Sequence, residues 1–263
     1  MSRVGFVGAG RMGAPMVARL VEGGHEVRVL ARSAEKRTAV AQLGAEPVTD
    51  LAAVTSAAET VVVCVFTDDQ VKALCVDGEL ASRMDPGATL ILHTTGSPKT
   101  AQAIATRHGH IDVLDAPVSG GPHDIAAGSV TLFVGGDERA LDRARPVLAS
   151  YGDPILHAGP TGSGQVVKLV NNTLFAAQIG LVAEGVRLGS GLGVAEEPLL
   201  NALTHGSAQS RVLSMIARAG SADAFRTAVG EFIGKDIAVV RETVTALDGN
   251  LGELERIIDA VTA

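Results

Sequence analysis

The sequence predicts an α/β protein in which a doubly wound, mostly parallel sheet is followed by an all-helical C-terminal domain. Three observations predict it. Apolar strand-like runs alternate with helical segments through residue 158, and Thr60–Phe66 (TVVVCVF) is typical of a central strand buried on both faces. Beyond Gly164 the pattern is helical, with no convincing strand. We place the domain boundary within Gly159–Gly164, which gives domains at 1–160 and 161–263.

The individual elements follow from short apolar runs and from helical spacing of apolar residues. Predicted strands are Val4–Val7, Glu26–Leu30, Ala45–Val48, Thr60–Phe66, Ala88–Leu92, Ile111–Leu114, Val130–Val134 and Pro154–His157. Predicted helices of the first domain are Met12–Val21, Glu35–Leu43 and Leu51–Ala58. The segment Gln165–Leu188 contains no proline and is apolar around almost its whole circumference, so we expect a helix buried all round between two domains or two subunits. Its polar residues argue against a membrane span.

Composition excludes several classes of function. The 263 residues are 46% hydrophobic and 19% charged, which is typical of a globular chain. A net charge of −7 and a pI near 5.5 provide no broad basic surface for nucleic acid or anionic membrane. Aromatic residues make up only 3%, too few to suggest base stacking. The expected partner is a small molecule, and two cysteines without a secretory leader predict a cytoplasmic location.

The first motif is Gly8-Ala9-Gly10-Arg11-Met12-Gly13, which fits G-x-G-x-x-G. A predicted strand ends just before it and a helix opens within it, a context that favours a dinucleotide site over an ordinary glycine-rich turn. Gly8 allows a tight turn, Gly10 lets the backbone approach a pyrophosphate, and Gly13 permits close packing of helix on sheet. We therefore expect Gly8, Gly10, Arg11, Met12 and Gly13 to bind the cofactor of a Rossmann-type domain.

The end of the second strand bears on which cofactor binds. An NAD site usually has an acidic residue there, about 20 residues past the loop, to hold the ribose hydroxyls. This chain has Ala31, followed by Arg32 and Ser33. Arg32 can pair with a 2′-phosphate and Ser33 can add a hydrogen bond, which favours NADP, with NAD still possible.

Three further segments carry a resemblance to a known family. They are Asp115–Gly121 (DAPVSGG), Gly159–Asn172 (GPTGSGQVVKLVNN) and Phe232–Asp236 (FIGKD). Together with the N-terminal GFVGAGRMGAPM, they resemble the β-hydroxyacid dehydrogenase family, which includes 3-hydroxyisobutyrate dehydrogenases, tartronate semialdehyde reductases and glyoxylate/succinic semialdehyde reductases. The resemblance covers nearly the whole chain, and it implies a C-terminal domain like that of 6-phosphogluconate dehydrogenase.

The resemblance implies catalytic roles for Lys168 and Asn172. Oxidising a hydroxyl releases a proton as well as a hydride, and a lysine whose pKa is lowered by burial can take that proton as general base or return it as general acid. The two residues are four apart, so they share one face of a helix, and Asn172 can orient the amine or the reacting oxygen. The alternative for Lys168 is a surface lysine at a helix end.

Other residues are also assigned by the resemblance. Ser119, Gly120 and Gly121 match a loop that holds the substrate carboxylate, Thr95 matches a threonine that contacts the cofactor, and Lys235 matches a lysine near the nicotinamide. A plain turn and an exposed Lys235-Asp236 pair are the respective alternatives.

The chain also departs from the family pattern. His93 stands in a segment that is usually acidic, and we expect it to be a hydrogen-bonded loop histidine rather than a cofactor ligand. Asp124 follows the substrate loop, where its carboxylate would repel a substrate carboxylate. His108 and His110 have no nearby third ligand in the sequence, so we expect no metal.

These observations predict an NADP(H)-dependent oxidoreductase whose active site lies between the two domains. It would interconvert a small β-hydroxy acid and its semialdehyde or reduce a short aldehyde acid, and it would form a homodimer or a higher homo-oligomer. An imine reductase of the same superfamily and a non-catalytic NADPH-binding protein are the alternatives. Lys168 argues against the first, and the acidic charge and scarce aromatics argue against the second.

Overall fold

The computed structural model describes residues 1–262, with the side chains of 231, 232 and 260–262 outside that description. The chain divides into two compact units, Met1–Lys168 and a second that begins at Leu169. The functional domain limits expected from the sequence, 1–160 and 161–263, stay predictions.

Within the described residues of the first unit, one sheet contains nine strands. They are β1 (Arg3–Val7), β2 (Glu26–Leu30), β3 (Glu46–Val48), β4 (Thr60–Val63), β5 (Thr89–Leu92), β6 (Asp112–Asp115), β7 (Val118–Ser119), β8 (Val130–Gly135) and β9 (Gly152–Gly159). The order is β3-β2-β1-β4-β5-β6-β8-β7, with β9 paired to β8. The β3 to β6 portion is all parallel, whereas β8 runs antiparallel to β6 and β7. The predicted mostly parallel sheet is confirmed, and strand order reverses between β1 and β4, where such sheets bind ligands.

The helices of the first unit connect these strands. They are α1 (Gly13–Glu22), α2 (Ala34–Gln42), α3 (Leu51–Thr55), α4 (Asp68–Val71), α5 (Pro98–Arg107), α6 (Pro122–Ala126) and α7 (Glu138–Leu148). A π-helical turn at Lys72–Val76 and a 3₁₀ turn at Ala81–Arg83 add to them. The predicted helix at 51–58 ends at Thr55 because Ala57 adopts a positive φ of 52°.

Burial explains why β4 is central. Val62 belongs to the apolar cluster on one face of the sheet, whereas Val61 and Val63 belong to the cluster on the other, and all three are fully buried. Alternate side chains of a strand point to opposite faces, so an apolar run with no polar alternation requires helices on both faces. The predicted run continues to Phe66, but pairing ends at Val63 and the next three residues form a loop.

The second unit is helical throughout its described residues. The long helix α8 (Ser163–Gly191) begins in the first unit and continues into the second, where α9 (Glu196–Leu203), α10 (Arg211–Ala219), α11 (Ala222–Ala246) and α12 (Glu253–Thr262) follow. The core of the second unit includes Ala176 and Ile179 of α8 with Ile216 of α10 and Ile237 of α11.

The single chain does not bury α8 all round, and burial between two subunits, the other setting expected for this helix, stays a prediction. Its exposed apolar side chains lie at heptad or i, i+4 spacing, and they are Val166, Val167, Val170, Leu174, Leu181 and Leu188. By length and composition alone the helix meets the requirements of a membrane span, contrary to the expectation that it is too polar, and 39% of its most apolar window is buried in the protein. A core helix meets the same requirements, so this observation does not indicate a membrane.

Candidate active site

The glycines of the first motif are required for different reasons. Gly8 has a φ of 102°, and a Cβ there would lie 2.3 Å from the carbonyl oxygen of Cys64. A Cβ on Gly13 would lie 2.2 Å from the carbonyl oxygen of Gly8, whereas a Cβ on Gly10 would meet nothing within 4 Å. Packing within the protein therefore demands glycine at positions 8 and 13, and Gly10 leaves open space against the backbone.

The start of α1 suits an anion. Its first turn contains no acidic residue among the described side chains, and the helix dipole adds partial positive charge there. Arg11 is exposed at this end, whereas Met12 is partly buried and packs against the core of the sheet. The backbone of this turn, rather than the Met12 side chain, is what can face a phosphate.

A cavity of about 680 Å³ opens beside this loop, between the ends of β1 and β4. Of the predicted cofactor residues, Gly8, Gly10 and Arg32 line it. Lys36 and Phe66, which the sequence analysis did not single out, line it too. The available indication for Lys36 was its position in the first turn of α2, shortly after Arg32 and the N-cap residue Ser33. The cavity lies at the point of strand reversal, where sheets of this kind bind ligands.

Arg32 and Ser33 lie where β2 passes into α2. Ser33 caps α2, and its Oγ accepts a hydrogen bond from the Lys36 amide at 3.2 Å. The carbonyl of Arg32 accepts from Arg37 Nη1 at 2.9 Å, and the Arg32 side chain is exposed. Ala31 is buried and offers no carboxylate. The end of β2 therefore presents cationic side chains, which suits a phosphate better than a ribose diol.

The loop after β5 holds the predicted cofactor residue Thr95. Its neighbour Thr94 binds the loop after β4 twice: the Val65 amide donates to Thr94 Oγ1 at 3.0 Å, and that hydroxyl donates to the Val65 carbonyl at 2.9 Å. Thr95 itself is half-buried. The pairing ties the segment that carries Thr95 to a residue that lines the cavity, Val65.

A buried carboxylate holds the beginning of α8. Asp115 is fully buried, and it accepts hydrogen bonds from the amides of Gly162 at 2.6 Å and Gln165 at 2.8 Å. Burial raises the pKa of Asp115, and these N–H groups act against that shift by favouring the charged form. The acidic residue that opens the DAPVSGG motif thus has a structural role, because it fixes the helix that carries Lys168.

Lys168 and Asn172 lie on successive turns of α8. Lys168 is half-buried, and Asn172 is only 7% exposed. Asn172 Oδ1 accepts from Asn171 Nδ2 at 3.3 Å, but Asn172 Nδ2 has no hydrogen-bond partner among the described residues. A buried amide donor without a partner costs stability, so this N–H is available to an acceptor supplied by a ligand or water.

The predicted substrate loop differs from expectation at its last residue. Ser119 ends β7, Gly120 has a φ of 142°, and Gly121 precedes α6. The Gly121 amide donates to Asp124 Oδ2 at 2.6 Å, so this N–H already has an anionic acceptor from the same chain. Among the described residues, this carboxylate accepts no hydrogen bond from Ser119 or Gly120, the other two residues of the predicted set.

His93 is a satisfied buried histidine, as expected. Its Nδ1 lies 2.6 Å from the Ala116 carbonyl and its Nε2 lies 2.8 Å from the Tyr151 hydroxyl. A carbonyl only accepts, so Nδ1 carries the proton and Nε2 accepts from the tyrosine. Burial lowers the pKa of His93 to about 4, which keeps the ring neutral. The residue anchors the segment just before the substrate loop.

Two further predictions concern Lys235 and the pair His108 and His110. Lys235 is half-buried on α11 in the second unit, and the side chain of Phe232 in the same motif lies outside the described residues. His108 and His110 pack with ring centroids 6.0 Å apart. Across the described residues no group of three His, Cys, Asp or Glu side chains has the arrangement of a metal site.

Comparison with known proteins identifies the family. The profile of the NAD binding domain of 6-phosphogluconate dehydrogenase matches residues 3–159, and the profile described as NAD-binding of NADP-dependent 3-hydroxyisobutyrate dehydrogenase matches residues 162–255. The chain belongs to the β-hydroxyacid dehydrogenase family. It is therefore an NAD(P)-dependent oxidoreductase that acts on hydroxyl groups, and its N-terminal domain is of the Rossmann type.

Relatives of the β-hydroxyacid dehydrogenase family support this assignment. The NAD-dependent L-serine dehydrogenase of Pseudomonas aeruginosa is 34% identical over 210 residues, covering 79% of this chain and 70% of that protein. The structure of Mycobacterium tuberculosis 3-hydroxyisobutyrate dehydrogenase with L-serine superposes with a TM-score of 0.87 at 28% identity, covering 98% and 92% of the two chains. The imine reductase of Streptomyces aurantiacus shares the fold, with a TM-score of 0.65 at 19% identity over 98% and 93%.

Proposed function

We propose that this protein is an NADP(H)-dependent oxidoreductase that interconverts a small β-hydroxy acid and its semialdehyde, or reduces a short aldehyde acid, with Lys168 as general acid and base. The observation that carries the proposal is the buried Asn172 Nδ2, which has no hydrogen-bond partner among the described residues and lies one helical turn after the half-buried Lys168. A lysine and an amide donor at i, i+4 can both address one reacting oxygen. Relatives named for L-serine and 3-hydroxyisobutyrate support a β-hydroxy acid as substrate.

The residues that would hold the cofactor fall into two groups. The backbone of Gly8–Gly13 and the start of α1 would bind the pyrophosphate, and Arg32 with Lys36 would pair with a 2′-phosphate. Ser33, Thr95 and Lys235 are further contacts that we propose from the family resemblance. When bound, the nicotinamide accepts or supplies the hydride at the carbon that carries the oxygen.

The chain's own residues would handle the proton. In oxidation the neutral Lys168 amine accepts the hydroxyl proton, and in reduction its ammonium donates a proton to the carbonyl oxygen. Asn172 Nδ2 donates a hydrogen bond to that oxygen or orients the lysine. Ser119 and Gly120, with Gly121 once its amide is released from Asp124, would bind the substrate carboxylate.

Replacing Lys168 by alanine tests the proposed chemistry. A panel of L-serine, 3-hydroxyisobutyrate, glyoxylate and succinic semialdehyde is assayed with both cofactors by absorbance of the reduced nicotinamide. We expect Lys168→Ala to lower kcat by about 10³-fold or more, at the upper part of the range for general acid–base groups, and to leave NADPH affinity nearly unchanged. Lys99→Ala, an exposed lysine on α5, is the matched control. A Lys168→Ala enzyme with the wild-type rate would refute the assignment.

An imine reductase activity is the second candidate, because one observation favours it. The Asp124 carboxylate occupies the Gly121 amide, and a negative group there suits a cationic iminium better than a carboxylate. Turnover of a cyclic imine such as 1-pyrroline, exceeding that of every acid in the panel, would establish it. Absence of turnover with acids and imines alike would show that the substrate lies outside both classes, and it would leave the non-catalytic alternative without support of its own.

The assembly we propose is a homodimer or a higher homo-oligomer. The exposed apolar side chains of α8 recur along one stripe, with Val167, Leu174, Leu181 and Leu188 spaced by seven residues. Exposed apolar patches of this kind mark interaction surfaces in many proteins, and a self-complementary helix face suits a two-fold contact. The cytoplasmic location stays a prediction.

A further inference from the structure

The side chain of Gln165 forms two hydrogen bonds with the backbone of the loop after β5. Its Oε1 accepts a hydrogen bond from the Gly96 amide at 3.0 Å, and its Nε2 donates to the Thr94 carbonyl at 2.8 Å. Gln165 is only 3% exposed. Because one partner only donates and the other only accepts, the amide has a single satisfactory orientation. The two bonds span Thr95, the predicted cofactor contact.

This loop is in turn joined to the cavity. Thr94 Oγ1 exchanges two hydrogen bonds with the backbone of Val65, which lines the cavity beside the glycine motif. On its other side, Gly96 packs so closely on Asp68 that a Cβ would lie 2.2 Å from Asp68 Oδ1. The loop is therefore held by contacts with Val65 and Asp68 as well as by its two hydrogen bonds to Gln165.

The backbone at the beginning of α8, which carries Gln165, is also fixed. The backbone amide of Gln165 donates to the buried Asp115 carboxylate at 2.8 Å. Gly164 lies directly on the sheet, where a Cβ would come within 2.4 Å of the Phe133 carbonyl oxygen. Lys168 is three residues after Gln165, so both residues lie on the same side of the first turns of α8. One residue thus connects the loop at the cavity to the turn that carries Lys168.

We propose that Gln165 is a positioning residue that sets the placement of Lys168 relative to the Thr94–Gly96 loop. The proposal rests on the proposed function, in which Lys168 transfers the proton. Gln165 itself does not contact the reacting atoms and acts only through the position of Lys168. Loss of the two Gln165 side-chain hydrogen bonds leaves the Gly96 amide and the Thr94 carbonyl without their partner. The distance between this loop and the first turns of α8 can then increase. A displacement of about 1 Å at a reacting group can lower the rate about 100-fold.

The test uses Gln165→Leu and Gln165→Glu with the best substrate of the acid panel. Gln165→Leu keeps the volume and removes both bonds, and we expect kcat to fall about 10- to 100-fold. NADPH affinity should change less than kcat, because the substitution removes no residue of the glycine motif. In Gln165→Glu, only a protonated carboxyl can donate to Thr94 while accepting from Gly96. We expect its kcat to approach the wild-type value at low pH and to fall as pH rises, through an ionisation that the wild-type enzyme lacks.

A second readout needs neither cofactor nor substrate. Hydrogen exchange of the Gly96 amide should become faster in Gln165→Leu, because that N–H loses its acceptor. Gln102→Leu is the matched control, since Gln102 Nε2 donates to the Thr161 carbonyl at 3.2 Å and, among the described residues, makes no hydrogen bond to the Thr94–Gly96 loop. We expect this control to leave both the exchange rate and kcat unchanged.

The outcomes separate the two proposals. Loss of activity in Lys168→Ala together with wild-type kcat in Gln165→Leu would overturn the positioning role and leave the proposed function intact. Wild-type activity in Lys168→Ala would instead overturn the proposed function. If Gln165→Leu fails to fold, Gln165→Glu decides: a pH profile identical to that of the wild type contradicts the positioning role, and the added ionisation supports it.

Discussion

Two glycine-rich loops follow strands of the same sheet, and they differ in what their amide groups face. In Gly8–Gly13 the first turn of α1 contains no acidic residue among the described side chains, and Gly10 borders open space. In Ser119–Gly121 the first turn of α6 contains Asp124, whose carboxylate accepts the Gly121 amide at 2.6 Å. The first loop has room for an anionic ligand, whereas the second already binds a carboxylate of the same chain. One side chain beyond a glycine motif can therefore decide whether the motif binds an anion.

Among the predictions that test this comparison of the two loops, the largest effect is expected for two glycines of the first loop. In Gly13→Ala the new methyl group collides with the Gly8 carbonyl, and overpacking of this kind costs about 3 kcal/mol of stability. In Gly10→Ala the methyl group enters open space, so the stability should change by less than about 0.5 kcal/mol. That methyl group takes the space of the pyrophosphate, so NADPH affinity should fall about 100-fold, or about 3 kcal/mol.

Urea unfolding and NADPH fluorescence titration measure the two quantities. Each variant is the control for the other. Gly13→Ala should strongly lower the stability, whereas Gly10→Ala should strongly lower NADPH affinity and leave the stability unchanged. Equal losses of stability in both variants would show that the first loop is packed throughout and is not open for a ligand.

The next effect concerns the cationic end of β2. Arg32→Ala removes a charge-assisted bond to a 2′-phosphate, worth about 1.5–3 kcal/mol, so NADPH should bind about 10- to 100-fold more weakly. NADH lacks that phosphate, and its affinity should change little. Arg37→Ala, whose side chain bonds the Arg32 carbonyl, is a control for local structure. Parallel losses for NADPH and NADH would remove the case for NADP and leave the first loop as a general pyrophosphate site.

The sequence was sufficient where the chemistry is local. The positions of the glycine motif and Arg32 beside the cavity, and the central strand β4, were predictable because turn geometry and apolar pattern are set by neighbouring residues. Gln165 and Asp115 were not, since their partners lie 47 to 71 residues away and only folding brings them together. The two-residue strand β7 is too short to show a pattern, and the antiparallel turn of the sheet at β8 was missed with it.

At α8 the limit of what the sequence can predict has a different origin. Apolar residues around a helix predict that something covers them, but periodicity does not say whether the cover is the same chain. Leu181 and Leu188 are 57% and 60% exposed, although Ala176 and Ile179 of the same helix are buried in the core. The pattern correctly predicted an unusually apolar helix and could not distinguish burial within the chain from burial in an assembly.

The smallest expected effect tests the second loop directly. Asp124→Asn keeps an oxygen that accepts the Gly121 amide and removes the negative charge, whereas Asp124→Gly also releases the amide. Like charges about 4 Å apart near a protein surface repel by a few kcal/mol, and solvent screening reduces this, so we expect kcat/KM for the acids to rise about 10-fold in Asp124→Asn. Asp124→Gly should gain at least as much for acids but lose about 1 kcal/mol of stability with the helix cap. His123→Ala, which removes the exposed neighbour of Asp124 Oδ1, is the control. If neither Asp124 variant improves kcat/KM for acids relative to 1-pyrroline, the carboxylate does not govern this loop, and the contrast between the two loops has no consequence for substrate choice.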